Sequence, residues 1–586
     1  MITPRCLSGH YPPEDSVLSG TRTPQTAFMG LLIAIFITLT SGLAAKPNIE
    51  AFLYGYHTAR NLNYQDAEAA IDTAIRADPD SVEVRTTALY TYLATGRIEE
   101  AFAIARSLHA DGISNPILDT ILLTDDFINN NSEKIISGTL DSSATSPVLD
   151  RLALAWSLLR SGQIEESLAS FTNANDPDDI AIIMDFHRIL ANALTGNTGI
   201  ALELAEAHET HPDSIAGDLL YVRAQLLAST ANREQALALL DEKPYSENDP
   251  RAIRLMSLRN RLAAGDTIHF DYIDSPADGL AEAFAMLSRL LIVSERHGES
   301  VLHLQQANAL DPDNDLITLN LASLLYEVGN PLLAGQTLSD GPHDAVFGNN
   351  YGQLKARALY KNGETETAFS ILNEMIEEDP VSYTPPFVLG ELYRMEERYR
   401  EAIDAYDTAL ERMEANDAVT KGWTINFYRA VSYMELDEWG AAEADFRAAL
   451  EIAGRTPFLL NYLGYSLADL GIKLDEAETM IREAVEAEPN NGMYVDSLGW
   501  VFFRQGRYEE ALEQLERARR LASPDAEIID HLGDAYWKTG QHDYAYEQWE
   551  IALELAEDRE LIERIKRKIE VGLDKVLEEE AAGNDS

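Results

Sequence analysis

Along most of the chain, apolar residues recur at intervals of three and four. The C-terminal third shows the pattern best. Ala511, Leu515 and Ala518 stand at i, i+4 and i+7, the spacing of one face of a helix. Leu498, Gly499 and Phe502 mark one face of a preceding helix. Gly506 falls where that helix should end, a place where glycine enters the left-handed backbone at little cost. The whole arrangement then returns. Leu498 and Gly499 recur as Leu532 and Gly533, Gly506 as Gly540, Ala511 as Ala545 and Ala518 as Ala552, every interval being 34 residues. Helical spacing inside a fixed period predicts an all-α array of antiparallel helix pairs, each buried against its neighbours. The glycine lets the second helix of a pair approach closely. The two alanines let that helix nest, where larger side chains would overpack the interface.

A 34-residue period with these residue types is identified as the tetratricopeptide repeat, and the resemblance implies a right-handed superhelical solenoid. The frame runs upstream through Leu463, Gly464, Gly471, Ala477, Ala484 and Pro489, with one extra residue in the turn. It continues through Tyr433, Ala442, Phe446 and Ala449; through Leu389, Gly390, Tyr393, Ala402, Tyr406 and Ala409; and through Gly363, Ala368 and Pro380. Leu321, Ala322, Gly329 and Ala334 give a further unit, and Leu304, Ala307 and Pro312 end the one before. Near the start, Gly55, Ala67, Ile71, Ala74 and Pro79 fit, as do Leu154, Ala155, Gly162, Phe171 and Ala174. Residues 112–145 and 176–280 are helical in pattern but match poorly, and Pro244, Pro250 and Pro276 punctuate an irregular connection over 241–280. The expected organisation is a divergent helical region over 46–280 and a regular array over 281–556, about a dozen helix pairs in all. Leu561, Ile562, Ile565, Ile569, Leu573 and Val576 form an amphipathic stripe, predicting a capping helix over 557–577 with Arg564, Lys566, Arg567 and Lys568 mostly off the stripe. Residues 578–586 are expected to be disordered.

The net charge of −52 repels phosphate backbones and argues against nucleic-acid partners. Ala27 to Leu39 is an apolar run of signal-peptide length, followed by small residues at Ser41, Gly42, Ala44 and Ala45. Residues 1–45 are therefore read as an N-terminal extension with an export segment, either cleaved after Ala44 or Ala45 or retained as a single membrane anchor. A start at Met29 would leave no positive residue ahead of it. Cys6 is the one cysteine, so a mature chain would hold no disulfide, no thiolate zinc site and no cysteine nucleophile. This places the chain in the periplasm or cell envelope, with membrane contact through that segment alone.

Catalytic constellations are weak. His208-Glu209-Thr210-His211 is one residue short of a zinc-hydrolase motif. Asp311, Asp313 and Asp315 resemble the start of a calcium loop, but Leu316 stands where that loop needs glycine and Ala322 where it needs glutamate. No catalytic residue, metal site or cofactor is expected. Positions on the first helices that repeat packing does not need are candidates for a concave protein-binding groove. They are Asn461, Tyr465 and Asp469; Asp496, Trp500, Phe503 and Arg504; and Asp530, Asp534, Trp537 and Lys538. Aromatic rings beside acids suggest anchors for a partner carrying Lys, Arg or a free amine.

The stretches AEAFAMLSRLL (281–291), NYLGYSLAD (461–469) and HLGDAYWKTGQHDYAYEQWEIAL (531–553) resemble the envelope tetratricopeptide proteins of proteobacteria. Length and layout are similar to the outer-membrane lipoprotein that serves as adaptor for a carboxyl-terminal processing protease. That resemblance implies a non-catalytic scaffold presenting a protease, cell-wall hydrolase or synthase to its clients. No cysteine follows the export segment for lipid attachment, which departs from that pattern. The alternative function is a component of a polysaccharide-export or outer-membrane biogenesis machine. Asp496 and Asp530 in the groove disfavour the repeat class that clamps a terminal carboxylate.

Overall fold

The C-terminal repeats fold as their period predicts. Pro457–Asp469 pairs with Leu474–Ala487, Gly492–Arg504 with Tyr508–Leu521, and Ala526–Lys538 with His542–Leu555. The repeated glycines sit where no side chain fits. A Cβ on Gly464 would lie 2.7 Å from Ile481, on Gly499 2.6 Å from Leu515, and on Gly533 2.5 Å from Trp549. Ala511, Ala518, Ala545 and Ala552 are wholly buried. The extra residue after Leu463 is absorbed in a turn with two left-handed residues, Gly471 and Lys473.

In this computed structural model the described residues are 49–138, 147–172, 176–207, 213–230, 232–242, 250–415 and 422–584. They hold 31 α-helices, and no strand occurs among them. The export segment Ala27–Ala45 and the His208–His211 stretch lie outside them. Among the described residues no helix is long and apolar enough to cross a membrane. The chain divides into two compact units, meeting at Ile371 and Leu372.

In the unit up to Ile371, the region expected to be divergent is built of regular pairs: Asp178–Leu194 with Thr198–Ala207, and Asp213–Ser229 with Arg233–Glu242. The helix Pro276–Val293 does not extend this row. It packs back onto the first helices of three earlier pairs. Its Gly279 lies against the buried Trp156 ring, so close that a Cβ would sit 2.4 Å away. Its Arg289 reaches Asp218 at 3.2 Å and Glu282 at 2.9 Å. The next helix, His297–Leu310, continues the return: Gln305 donates to the Ala94 carbonyl and Gln306 accepts from Thr124. Asn330 closes the unit, accepting from the Tyr64 amide at 2.9 Å and donating to the Leu62 carbonyl. The expected boundary at 280/281 therefore falls inside a helix, and residues on both sides share one core.

Two further expectations are corrected. The capping element is two helices, Arg559–Val571 and Leu573–Asn584, broken at Gly572 with φ of +81°. The acidic tail read as disordered is helical through Asn584. Its glutamates are held by the preceding helix, Glu580 by Arg564 and Glu579 by Arg567. Asp311 and Asp315 flank an inter-repeat turn, and the buried Asp315 carboxylate accepts from the amides of His343 and Asp344 and from Tyr351.

Candidate functional site

The first helices of the last three pairs lie side by side. Their repeated positions form a row of polar side chains along one inner face. Asn461, Asp496 and Asp530 occupy the same place in successive repeats, as do Tyr465, Trp500 and Asp534. The structure brings the candidate residues together, but it does not leave them open. Asn461, Tyr465, Asp496, Trp500, Phe503, Asp530 and Asp534 are all buried. Asp469, Arg504, Trp537 and Lys538 are half-buried. The reading of exposed aromatic anchors is thus corrected: the rings have partners within the chain.

Tyr465 reaches across two repeats to donate to Glu527. Trp500 stacks on the His531 imidazole at 4.1 Å between ring centroids and on Phe503 at 5.0 Å. His531 Nδ1 lies 3.1 Å from Asp496. Trp537 donates from its indole nitrogen to Asp574 at 3.0 Å, and Lys538 pairs with the same carboxylate. Arg504 donates to the Asp469 backbone carbonyl. The Lys568 ammonium is fully buried, 2.6 Å from Asp530 and 2.7 Å from Asp534. Trp549 donates to the same Asp534 oxygen, Oδ1, at 3.0 Å. Such a row is stable only because each buried charge meets an opposite charge or a donor.

Four members of this cluster were missed from sequence: Glu527, His531, Arg564 and Lys568. A signal for two of them is present. Arg564 and Lys568 stand one 34-residue period after Asp530 and Asp534. The helix Arg559–Val571 thus takes the register of another first helix, with cations where its predecessor carries acids.

Burial sets the titration of the cluster. It pushes the Glu527 carboxyl up to about 8, against His531 and Tyr465, which pull it down. Burial pushes the His531 imidazolium down, but Asp496 and Glu527 outweigh it and hold the group at about 9. Burial also raises the Asp534 carboxyl, with Lys568 opposing. Both Glu527 and His531 therefore bind protons more tightly folded than unfolded. The His531 contribution is complete below its unfolded value of about 6.5 and lost as pH rises through 9. The Glu527 carboxyl adds a loss as pH rises toward 8. The last repeats should thus be less stable at pH 9.5 than at pH 6.5, by a few kcal/mol in order of magnitude. Hydrogen exchange of residues 492–555 measures this. A Glu527→Gln/His531→Gln variant should flatten the dependence, and an equally steep profile in that variant would refute the assignment.

Among the described residues, no group of three or more His, Asp or Glu side chains is placed to hold a metal ion. What the row can do chemically is receive positive charge.

Comparison with known proteins agrees with the fold. Family models described as TPR repeat and tetratricopeptide repeat match residues 499–558, and residues 56–116 and 463–526, respectively. Over those residues the chain matches the tetratricopeptide repeat, a fold that commonly serves as a scaffold for protein–protein contacts. A TPR repeat-containing protein of Pseudomonas aeruginosa is 27% identical over 141 residues, 22% of this chain. The match spans 24% of that relative's length. Among solved structures, the Cut9–Hcn1 hetero-tetramer of the APC/C is similar at 15% identity, covering 92% of this chain and 99% of that one with a TM-score of 0.35. Yeast Tom70 is similar at 13% identity, covering 91% and 96%, with a TM-score of 0.33. A third, YrrB, described as a TPR protein with an unusual peptide-binding site, is 21% identical over 33% of this chain and 97% of its own, with a TM-score of 0.26.

Proposed function

We propose that this chain is an exported, non-catalytic adaptor of the bacterial cell envelope that holds a partner enzyme or client on the inner face of its repeats. The observation that carries the binding reading is the row of charged side chains from Asp469 to Asp534. Packing between helix pairs is met mainly by glycine, alanine and apolar residues, and the charged row is added to that packing along one inner face. Support for the envelope comes from the apolar run Ala27–Leu39, the small residues up to Ala45, and the resemblance to envelope adaptors.

The test has two parts. In cells producing the full chain with a C-terminal tag, protease added to spheroplasts should degrade the protein, while intact cells should protect it. Protection in both would place it in the cytoplasm and sink the export reading. Crosslinking in the envelope fraction should then join the chain to a protease, cell-wall hydrolase or synthase. Recovery of the uncrosslinked chain alone would remove the adaptor role.

A further inference from the structure

In a chain of net charge −52, the helix Arg559–Val571 is a basic exception. It carries Arg559, Arg564, Lys566, Arg567 and Lys568 against Glu560, Glu563 and Glu570. Two of its cations stand one turn apart, with the fully buried Ile565 between them in sequence. Lys568 is seated between Asp530 and Asp534. Arg564 pairs with Glu580 at 2.9 Å, and its charge is felt at Asp530, at Asp534 and as far as Asp469, two pairs upstream. An amphipathic helix bound in a groove has this form: an apolar stripe for contact area and a few charges for register.

The occupant does not use the whole face. With Glu527 largely protonated at neutral pH, Asp469, Asp496, Asp530 and Asp534 are matched in number by Arg504, His531, Arg564 and Lys568. Two acceptors in the row, Asp530 Oδ1 and Asn461 Oδ1, are buried and meet no donor. Unmatched buried acceptors are costly, and a further N–H donor at Asp530 Oδ1, beside the Lys568 seat, would supply a missing bond. The occupant is also joined to the rest of the terminus through the left-handed Gly572, which abuts the Trp537 ring.

We propose that the inner face from Asn461 to Lys538 is a docking surface for a basic amphipathic helix of a partner protein. Its recognition element is a pair of Lys or Arg side chains one turn apart, and Arg559–Val571 is the resident helix that such a partner replaces. The inference rests on the adaptor reading and names the chemistry of the partner. A third cation aimed at Asp530 Oδ1 gives the partner its advantage over the resident helix.

The test uses the full chain and a fluorescent peptide of residues 557–577. Wild type should bind the peptide weakly, because its own helix is in place. A Lys568→Glu variant, which sets a third carboxylate beside Asp530 and Asp534, should release that helix. It should bind the peptide about tenfold more tightly, and a peptide with glutamate at both cationic positions should not bind. Adding Asp530→Asn and Asp534→Asn to the variant should abolish the gain. In hydrogen exchange of the Lys568→Glu chain, residues 559–571 should lose protection while 457–555 keep theirs. Equal peptide affinity in wild type and variant would overturn the proposal. So would loss of protection throughout 457–555, which would make the helix a cap the fold cannot lose. The envelope and crosslinking experiments succeed or fail independently of this one, so failure of the docking surface is distinguishable from failure of the adaptor role.

Discussion

Replacing Trp549 by alanine is expected to destabilise the last repeats by about 3–5 kcal/mol. The ring is fully buried and occupies the space that Gly533 leaves open. It packs against Trp537 at 5.5 Å and Tyr546 at 5.7 Å between centroids. Its loss opens a cavity of aromatic size and takes from Asp534 one of its donors, so the transfer and cavity terms are joined by the cost of a poorly satisfied carboxylate. The damage should be local, because stacked repeats are stabilised largely by their neighbours. Hydrogen exchange resolves this: residues 526–571 should lose protection by that amount, whereas 384–453 should change little. Trp549→Phe, which keeps most of the volume, should cost clearly less. A loss under about 1 kcal/mol for the alanine variant would show that the ring does not hold this pair together.

Arg289→Met is expected to cost the unit up to Ile371 about 3 kcal/mol at neutral pH. The guanidinium bridges Asp218 and Glu282, whose side chains are 3% and 9% exposed. Arg251 still reaches Asp218 at 3.3 Å, so Glu282 is the group left stranded. The lower part of the range for broken buried pairs applies because the Arg289 side chain keeps 21% of its surface in solvent. Burial already raises the Glu282 carboxyl, with Arg289 pulling it down. Without that cation the carboxyl rises further and the folded state binds its proton more tightly than the unfolded one. The penalty is then absent at low pH and grows as pH rises through the folded value. Urea melts of the variant at pH 5 and pH 7.5 should show a smaller deficit at pH 5. A deficit that does not vary with pH would mean that the loss is one of packing alone.

The features legible in the sequence are those whose causes lie within one repeat. Gly499 announces a helix pair because the atoms it makes room for, on Ala511 and Leu515, belong to the same repeat. The predicted faces, turns and burial of that pair hold in the structure. The positions counted from the packing glycines stand in line on successive first helices, as counting along a period requires. Their state is not legible from the period. Counting along a period assumes an open face, but Glu527, His531 and the Lys568 helix cover this one. The return of Pro276–Val293 onto Trp156 and Asp218 left no periodic trace, because its partners stand far away in the chain. The tail shows the opposite error. EEEAAGNDS has the composition of a solvated end, yet Glu579 and Glu580 are matched to Arg567 and Arg564 on the preceding helix. Composition judges a segment alone, whereas those arginines supply what it lacks.

The bond between Tyr64 and Asn330 spans 266 positions, and it sets the order in which the first unit can be completed. A simple repeat stack can settle as it is made, each pair closing on the one before. Here Leu62, Tyr64, Ala94 and Thr124 wait for residues between Gln305 and Asn330. Loop closure over such a distance comes late and slowly. While the chain is being synthesised, the first helices therefore stay without their final partners until more than half of it exists. Under the export reading proposed above, that delay would keep the leading part from locking shut before the chain has been threaded through a translocation pore.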